Sequence, residues 1–216
     1  MDEAIKNFTM IDYLGILIPG LTLLYAAQPV RDVVTPELLS DHVVLALSGI
    51  IIAGYILGSA LAQTASMLED ALWHLHFWQN AIVPADYFED TVIQEAYCFV
   101  YAVDSVPDTK EKQCAAAGDI FHYVQRETRP ERIVIFTAFY TMARTLFTTF
   151  CLILLLMRTG QAALPLWAEP VCAVLAVLFL LRWVQFDRKC VTESRLLFRS
   201  YAPRFREAAN EGGRIL

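Results

Sequence analysis

Between Ile133 and Met157 an arginine and a row of small polar side chains recur in steps of four and three: Thr137, Thr141, Arg144, Thr148 and Cys151. At helical periodicity these positions share one face, a polar stripe down an otherwise apolar helix. A helix of this length covers about 37 Å, enough to cross a hydrocarbon core of about 30 Å with some tilt. A guanidinium near the centre of such a span costs about 2.5–3.5 kcal/mol on insertion scales, so the fold must compensate it. The stripe can do so as a closed helix–helix seam whose hydroxyls bond back to carbonyls four residues earlier. It can also line a water-filled path, with a ring of arginines in a symmetric oligomer, or the arginine can snorkel to headgroups.

A second stripe, Tyr55, Ser59, Gln63, Ser66 and Asp70, lies on the apolar stretch that begins at Val43. Tyr55 and Ser59 fall at about the depth of Arg144, so the two stripes can be one seam seen from two helices. Side chains lean toward the N-terminus of their own helix. Arg144 should therefore reach toward the level of Asp12, one turn inside the first apolar run, with Tyr55 and Ser59 as neutral alternatives. On the same second stretch Gly54, Gly58 and Ala62 form a small-residue face that lets another helix approach closely.

Other candidates are weaker. Asp70 and His74 share a face at a spacing that can bind a divalent metal, but no third ligand is evident and His76 points elsewhere. With Trp73 and Trp78 beside them they read as an interfacial aromatic band. Cys114 and His122 lie eight residues apart on a rough common face, a coincidence more often than a catalytic pair. The chain has no GxSxG, HExxH, Walker or GxGxxG motif. The five cysteines form no ligand-spaced cluster and read as reduced packing residues. No cofactor, metal site or enzymatic activity is expected. A net charge of −6 argues against nucleic acid as a partner.

The elements that position these residues are helical and apolar. Hydrophobic residues make up 56% of the 216 and charged residues only 19%, with a mean hydropathy of +0.44. That balance needs a solvent other than water. We expect an all-α polytopic membrane protein with four transmembrane helices and a small helical lobe. The first span is 8–27, retained rather than cleaved, with Pro19-Gly20 as a kink. The second is 43–66, and its helix is expected to run on to about Gln79. Residues 69–132 form the lobe, with twelve acids and five bases, and helices over Thr91 to Asp104 and Thr109 to Glu127. The third span is 133–157. The fourth is 164–186, bracketed by Trp167 and Trp183, and it leads into a basic tail, 187–216. Between the first two spans, Thr35-Pro36-Glu37 reads as the start of a short helical turn.

Four spans place both termini and the lobe on one side. That side carries fourteen of the seventeen lysines and arginines, and the other only Arg31 and Arg158. The excess marks the cytoplasmic side. Asn7-Phe8-Thr9 matches a glycosylation sequon but falls on that side and is discarded. The acidic lobe and basic tail then share a compartment, where the tail pairs with the lobe or with anionic lipid. A lobe this small should pack on the membrane helices or on copies of itself. Together with the small-residue face, this predicts a homo-oligomer, with a tetramer favoured.

Asp12-Tyr13-Leu14-Gly15 followed by Ile18-Pro19-Gly20 resembles the first span of small bacterial four-pass inner-membrane proteins associated with anti-phage defence systems. The resemblance covers about nine residues and the overall layout, and it carries over no catalytic residue. It implies an oligomeric membrane sensor or effector that changes membrane permeability or recruits a cytoplasmic partner. The alternatives are a small housekeeping channel or transporter and, last, a membrane enzyme.

Overall fold

The structure, a computed structural model, describes residues 12–27, 43–128, 131–162 and 164–210. Among these every regular element is helical, apart from one isolated antiparallel bridge between Ala27 and Ala162. The sequon at Asn7, the turn at Thr35–Glu37, and the first residues of the 8–27 span lie outside the described residues. Three helices are long and apolar enough to cross a membrane: Val43–Trp73, Arg132–Arg158 and Ala168–Phe205. Gly15–Ala26 forms a shorter apolar helix. The chain divides into two compact units, Met1–Ala71 with Thr137–Trp183, and Leu72–Phe136 with Val184–Leu216.

The first unit opens with a π-helical stretch, Asp12–Leu17, that continues as α1, Ile18–Ala26. Pro19 has no N–H to return to the preceding turn, and the chain before it runs in the wider π form. At the Pro19-Gly20 position expected to kink, the helix changes from π to α form just before the proline. α2 is Val43–Trp73, and its buried face is Gly54, Gly58, Leu61, Ala65 and Glu69. α1 lies in this face. A Cβ added at Gly20 would collide with the Gly54 carbonyl oxygen and come within 2.7 Å of the Gly58 nitrogen. One added at Gly58 would collide with the Ile16 carbonyl. Contacts rise along α1 as they fall along α2, so the two helices are antiparallel.

α6, Glu131–Arg158, and the first half of α7, Ala168–Asn210, complete this unit. Leu23, Leu61, Leu146, Phe150, Ile153 and Cys172 belong to one core cluster, and Phe150 stacks on Phe179 at 5.7 Å. α6 is the most enclosed of the three long helices, with 39% of its apolar window buried against 11% for α2 and 17% for α7. The turn after α6 closes on Gly160, whose φ of 73° is left-handed. Gly160 N–H reaches the Met157 carbonyl and Gln161 N–H the Leu156 carbonyl, a Schellman closure. Trp167 is exposed. Trp183 instead is fully buried, 6.0 Å from the Phe147 ring.

The second unit holds α3, His76–Ile82, α4, Thr91–Tyr101, and α5, Lys110–Thr128, with the start of α6 and the second half of α7. The helix expected to run unbroken to Gln79 stops at Trp73. Leu75 is extended, and the Gln79 side-chain amide donates to the Trp73 carbonyl at 2.7 Å, satisfying a group that the break frees. The Asp90 carboxylate caps α4 by accepting from Val92 N–H at 3.0 Å. Ala102 ends α4 in the left-handed region at φ 51°. The core is aromatic: Phe198 is wholly buried, 5.7 Å from the Tyr123 ring, and Phe205 packs on Phe99, Tyr123 and Phe198. The tail is therefore part of the lobe's own core.

Candidate functional site

The site is built where α2 and α6 lie together in the first unit. Tyr140 and Arg144 are four residues apart on α6, so both present to the same side. Opposite them the buried face of α2 ends in Glu69. Arg144 Nη1 donates to the Glu69 carboxylate, and the Tyr140 hydroxyl donates to the same carboxylate. Arg144 Nη1 also lies 3.4 Å from the Tyr140 oxygen, and its guanidinium carbon lies 5.2 Å from the centre of that ring. The ionic side chains are 12% and 11% exposed. Burial of this depth makes the pair costly to form and costlier to break, because either partner alone is a stranded charge. The lean of Arg144 is toward its own N-terminal turn, as helix geometry requires.

The hydroxyls of α6 turn back onto their own helix. Thr145 donates to the Thr141 carbonyl at 2.8 Å, Thr148 to the Arg144 carbonyl at 3.1 Å, and Thr149 to the Thr145 carbonyl at 2.8 Å. All three are buried. Thr141 is close to the π-helical stretch before α1, since a Cβ at Gly15 would fall 2.9 Å from its methyl. Two buried polar atoms of the stripe, Thr137 Oγ1 and Arg144 Nε, have no hydrogen-bond partner among the described residues.

The second stripe does not meet Arg144. Ser59 donates to the Tyr55 carbonyl at 2.9 Å, and Tyr55 is 41% exposed. The Asp12 side chain is outside the described set, and the carboxylate found at the guanidinium is that of Glu69. Gly54 and Gly58 do allow close approach, but the helix that approaches is α1 of the same chain. At Gly54 and Gly58 that face is occupied within the chain. Ala62, the next member of the series, is half-buried.

Asp70 and His74 are both exposed, and His74 lies in the break after α2 rather than on it. Among the described residues no group of three His, Cys, Asp or Glu side chains is placed to hold a metal. Cys114 is buried while His122 is exposed, and burial pushes the Cys114 thiol up, away from the reactive thiolate.

Sequence reasoning missed Glu69, which reads as the first residue of the polar lobe. The signal that finds it is the small-residue face followed further: Gly54, Gly58, Leu61, Ala65, Glu69 continue one row at helical spacing. The tail does pair with the lobe within one chain. Arg195 meets Asp86 through its carbonyl at 2.7 Å and its carboxylate at 3.5 Å, and Arg199 lies 3.1 Å from Asp90.

Compared with family models, with curated proteins and with solved structures, the chain matches none. Among the described residues the fold and site are helical, with three helices long and apolar enough to cross a membrane and a buried ion pair between two of them.

Proposed function

We propose that the protein is a four-span protein of the bacterial inner membrane, with both termini and the lobe cytoplasmic. In this reading it acts as a sensor or effector that recruits a cytoplasmic partner through the lobe, and it does not conduct ions along the α6 stripe. The defence setting rests on the first-span resemblance alone. The fourth span is α1, and its support is packing: α1 runs antiparallel to α2, and Ala27 at its end bridges to Ala162 in the link after α6.

The observation that carries the reading is the ion pair. A guanidinium paired with Glu69, on a helix whose threonines bond to their own backbone, offers little to a passing ion. Recruitment is assigned to the lobe because it carries most of the chain's acids, among them the exposed Glu89, Glu111 and Asp119.

The test is full-length protein reconstituted in vesicles, with ion flux and thermal unfolding both measured. Wild type should give no flux above empty vesicles, and Arg144→Gln should lower the unfolding temperature without creating flux. Wild-type flux that Arg144→Gln alters, at unchanged unfolding temperature, would sink the reading and restore an aqueous path. A tetrameric mass by light scattering would then place that path on a symmetry axis.

A further inference from the structure

α2 turns two rows of side chains in opposite directions. Its buried row, Gly54, Gly58, Leu61, Ala65 and Glu69, meets α1 at the glycines and α6 at the glutamate. Two residues along a helix are about 200° apart. Gln63, two residues from both Leu61 and Ala65, therefore points the other way, and it is exposed. The row through it runs Ile52, Ile56, Ser59, Gln63 and Ser66, in steps of four and three. Ile52 and Ile56 are exposed, and Ser59 and Ser66 are half-buried. The polar stripe expected to meet Arg144 thus lies largely on the outer side of α2.

Gln63 sits far from either end of the helix pair. Leu61 shares a core cluster with Leu146, Phe150 and Ile153, and Glu69 meets Arg144 and Tyr140. α2 and α6 therefore run antiparallel. Gln63, between Leu61 and Glu69, lies level with the middle of the apolar Arg132–Arg158 helix. The neighbouring hydroxyls of α2 return to their own backbone: Ser48 donates to the Val44 carbonyl, Ser59 to that of Tyr55 and Thr64 to that of Ala60. A glutamine carboxamide carries two N–H donors and a carbonyl acceptor. Among the described residues nothing hydrogen-bonds that of Gln63. In hydrocarbon a polar group left in this way is costly.

We infer that α2 pairs through this row with α2 of a second copy of the chain, the two Gln63 carboxamides bonding to each other. The inference rests on α2 crossing the membrane. Copies inserted in one direction meet about a two-fold axis along the membrane normal, so their α2 helices run parallel and each residue at the axis faces itself. That symmetry selects the occupant. A carboxamide is complementary to its own copy, donating through N–H and accepting through oxygen, whereas a carboxylate or an ammonium repels its own copy. Steps of four and three are the repeat of a helix–helix seam, and one polar residue in such a seam fixes register and subunit number. The Glu69–Arg144 pair belongs to the buried row of α2 and stays within its own chain.

The experiment uses full-length protein in phosphatidylcholine–phosphatidylglycerol vesicles, each copy carrying one C-terminal fluorophore. Photobleaching steps count the copies per particle as lipid is added. Wild type should dimerise. Gln63→Leu, which suits lipid better than glutamine does, should weaken dimerisation about tenfold, and Gln63→Asn should keep most of it. Mild oxidation reads the face. Ile56→Cys should form a disulfide dimer above the background of the wild-type cysteines, and Ile51→Cys, exposed on another side of α2, should not. Four outcomes each overturn the inference: a monomeric wild type, dimerisation unchanged by Gln63→Leu, cross-linking at position 51 rather than 56, or an assembly larger than two. Carbonate extraction of wild type from membranes separates the premises. Protein that stays in the membrane as a monomer defeats this inference alone, whereas protein that washes out defeats the spanning reading and this one with it.

Discussion

Arg144 and Arg195 each meet an acid far away in the chain, 75 and 109 residues distant, yet the two pairs sit in different kinds of packing. In the unit that holds Arg144 and Glu69, α1 lies against α2 through small residues. Glycines admit a backbone against a backbone, and threonines dispose of their hydroxyls on their own helix. Around Arg195 the helices touch through rings, and the arginine lies over the Tyr87 face with Asp86 60% exposed beside it. In the first, close backbone approach and a buried, matched charge pair hold helices together. In the second, burial of aromatic area does most of that work, and partly exposed ion pairs trim the edge. The same residue type is structural in one unit and peripheral in the other.

The comparison breaks most readily at Arg144. Arg144→Leu or Glu69→Leu should each cost about 3–5 kcal/mol, and the double variant should cost clearly less than the sum. Denaturation of purified protein in detergent measures all three, and simple additivity would remove the pair from its structural role. Phe198→Ala in the aromatic core should cost about 3–4 kcal/mol, read as accelerated proteolysis of the second unit. Glycines sharpen the contrast. Gly20→Ala forces a methyl onto the Gly54 carbonyl and should destabilise by about 1–3 kcal/mol. Gly118→Ala, on α5 with nothing within 4 Å, should stabilise by about 0.5–1 kcal/mol. If both substitutions shift the melting temperature the same way, the two units do not pack differently at glycine. Arg199→Gln should be the mildest, at about 0.2–1 kcal/mol, and its effect should vanish in high salt.

An alkaline titration adds a check on the second unit. Burial, with the nearby Asp119 charge adding to it, pushes the Tyr101 hydroxyl up to about 12. The folded state holds that proton more tightly than the unfolded chain does. Its contribution is complete below the ordinary tyrosine value and is lost as pH rises toward 12. Phenolate absorbance of Tyr101 should therefore appear late, together with unfolding of the second unit.

Most helices were readable because apolar runs of twenty or more residues are long-range signals that packing cannot disguise. The Thr91 and Thr109 helices were expected within a few residues of where they lie. The break at His74-Leu75 was not readable, since no glycine or proline marks it and the Gln79 amide that supports it comes from the following helix. Arg144 was legible as a cost in need of a partner. The partner was not, because depth estimated from the ends of the apolar runs pointed to Asp12, with Tyr55 and Ser59 as neutral alternatives, whereas the register between α2 and α6 brings Glu69 alongside. Gly54 and Gly58 announced a close approach without saying whose helix would make it. Nothing local distinguishes a helix of the same chain from one of a second copy.

The second half of α7 has one more consequence, and it lies in biosynthesis. Phe198 and Phe205 close the aromatic core that Tyr123 and Phe99 begin, and Phe205 follows Tyr123 by 82 residues. At about 5–20 residues per second the ribosome needs roughly 4–16 s to supply them. In that interval residues 137–183 must also be made. The nascent lobe therefore waits with its rings uncovered, a ready substrate for chaperones. A stop codon placed between Asp187 and Phe198 would leave it in that condition for good, open to proteases even though the helices of the first unit had been synthesised.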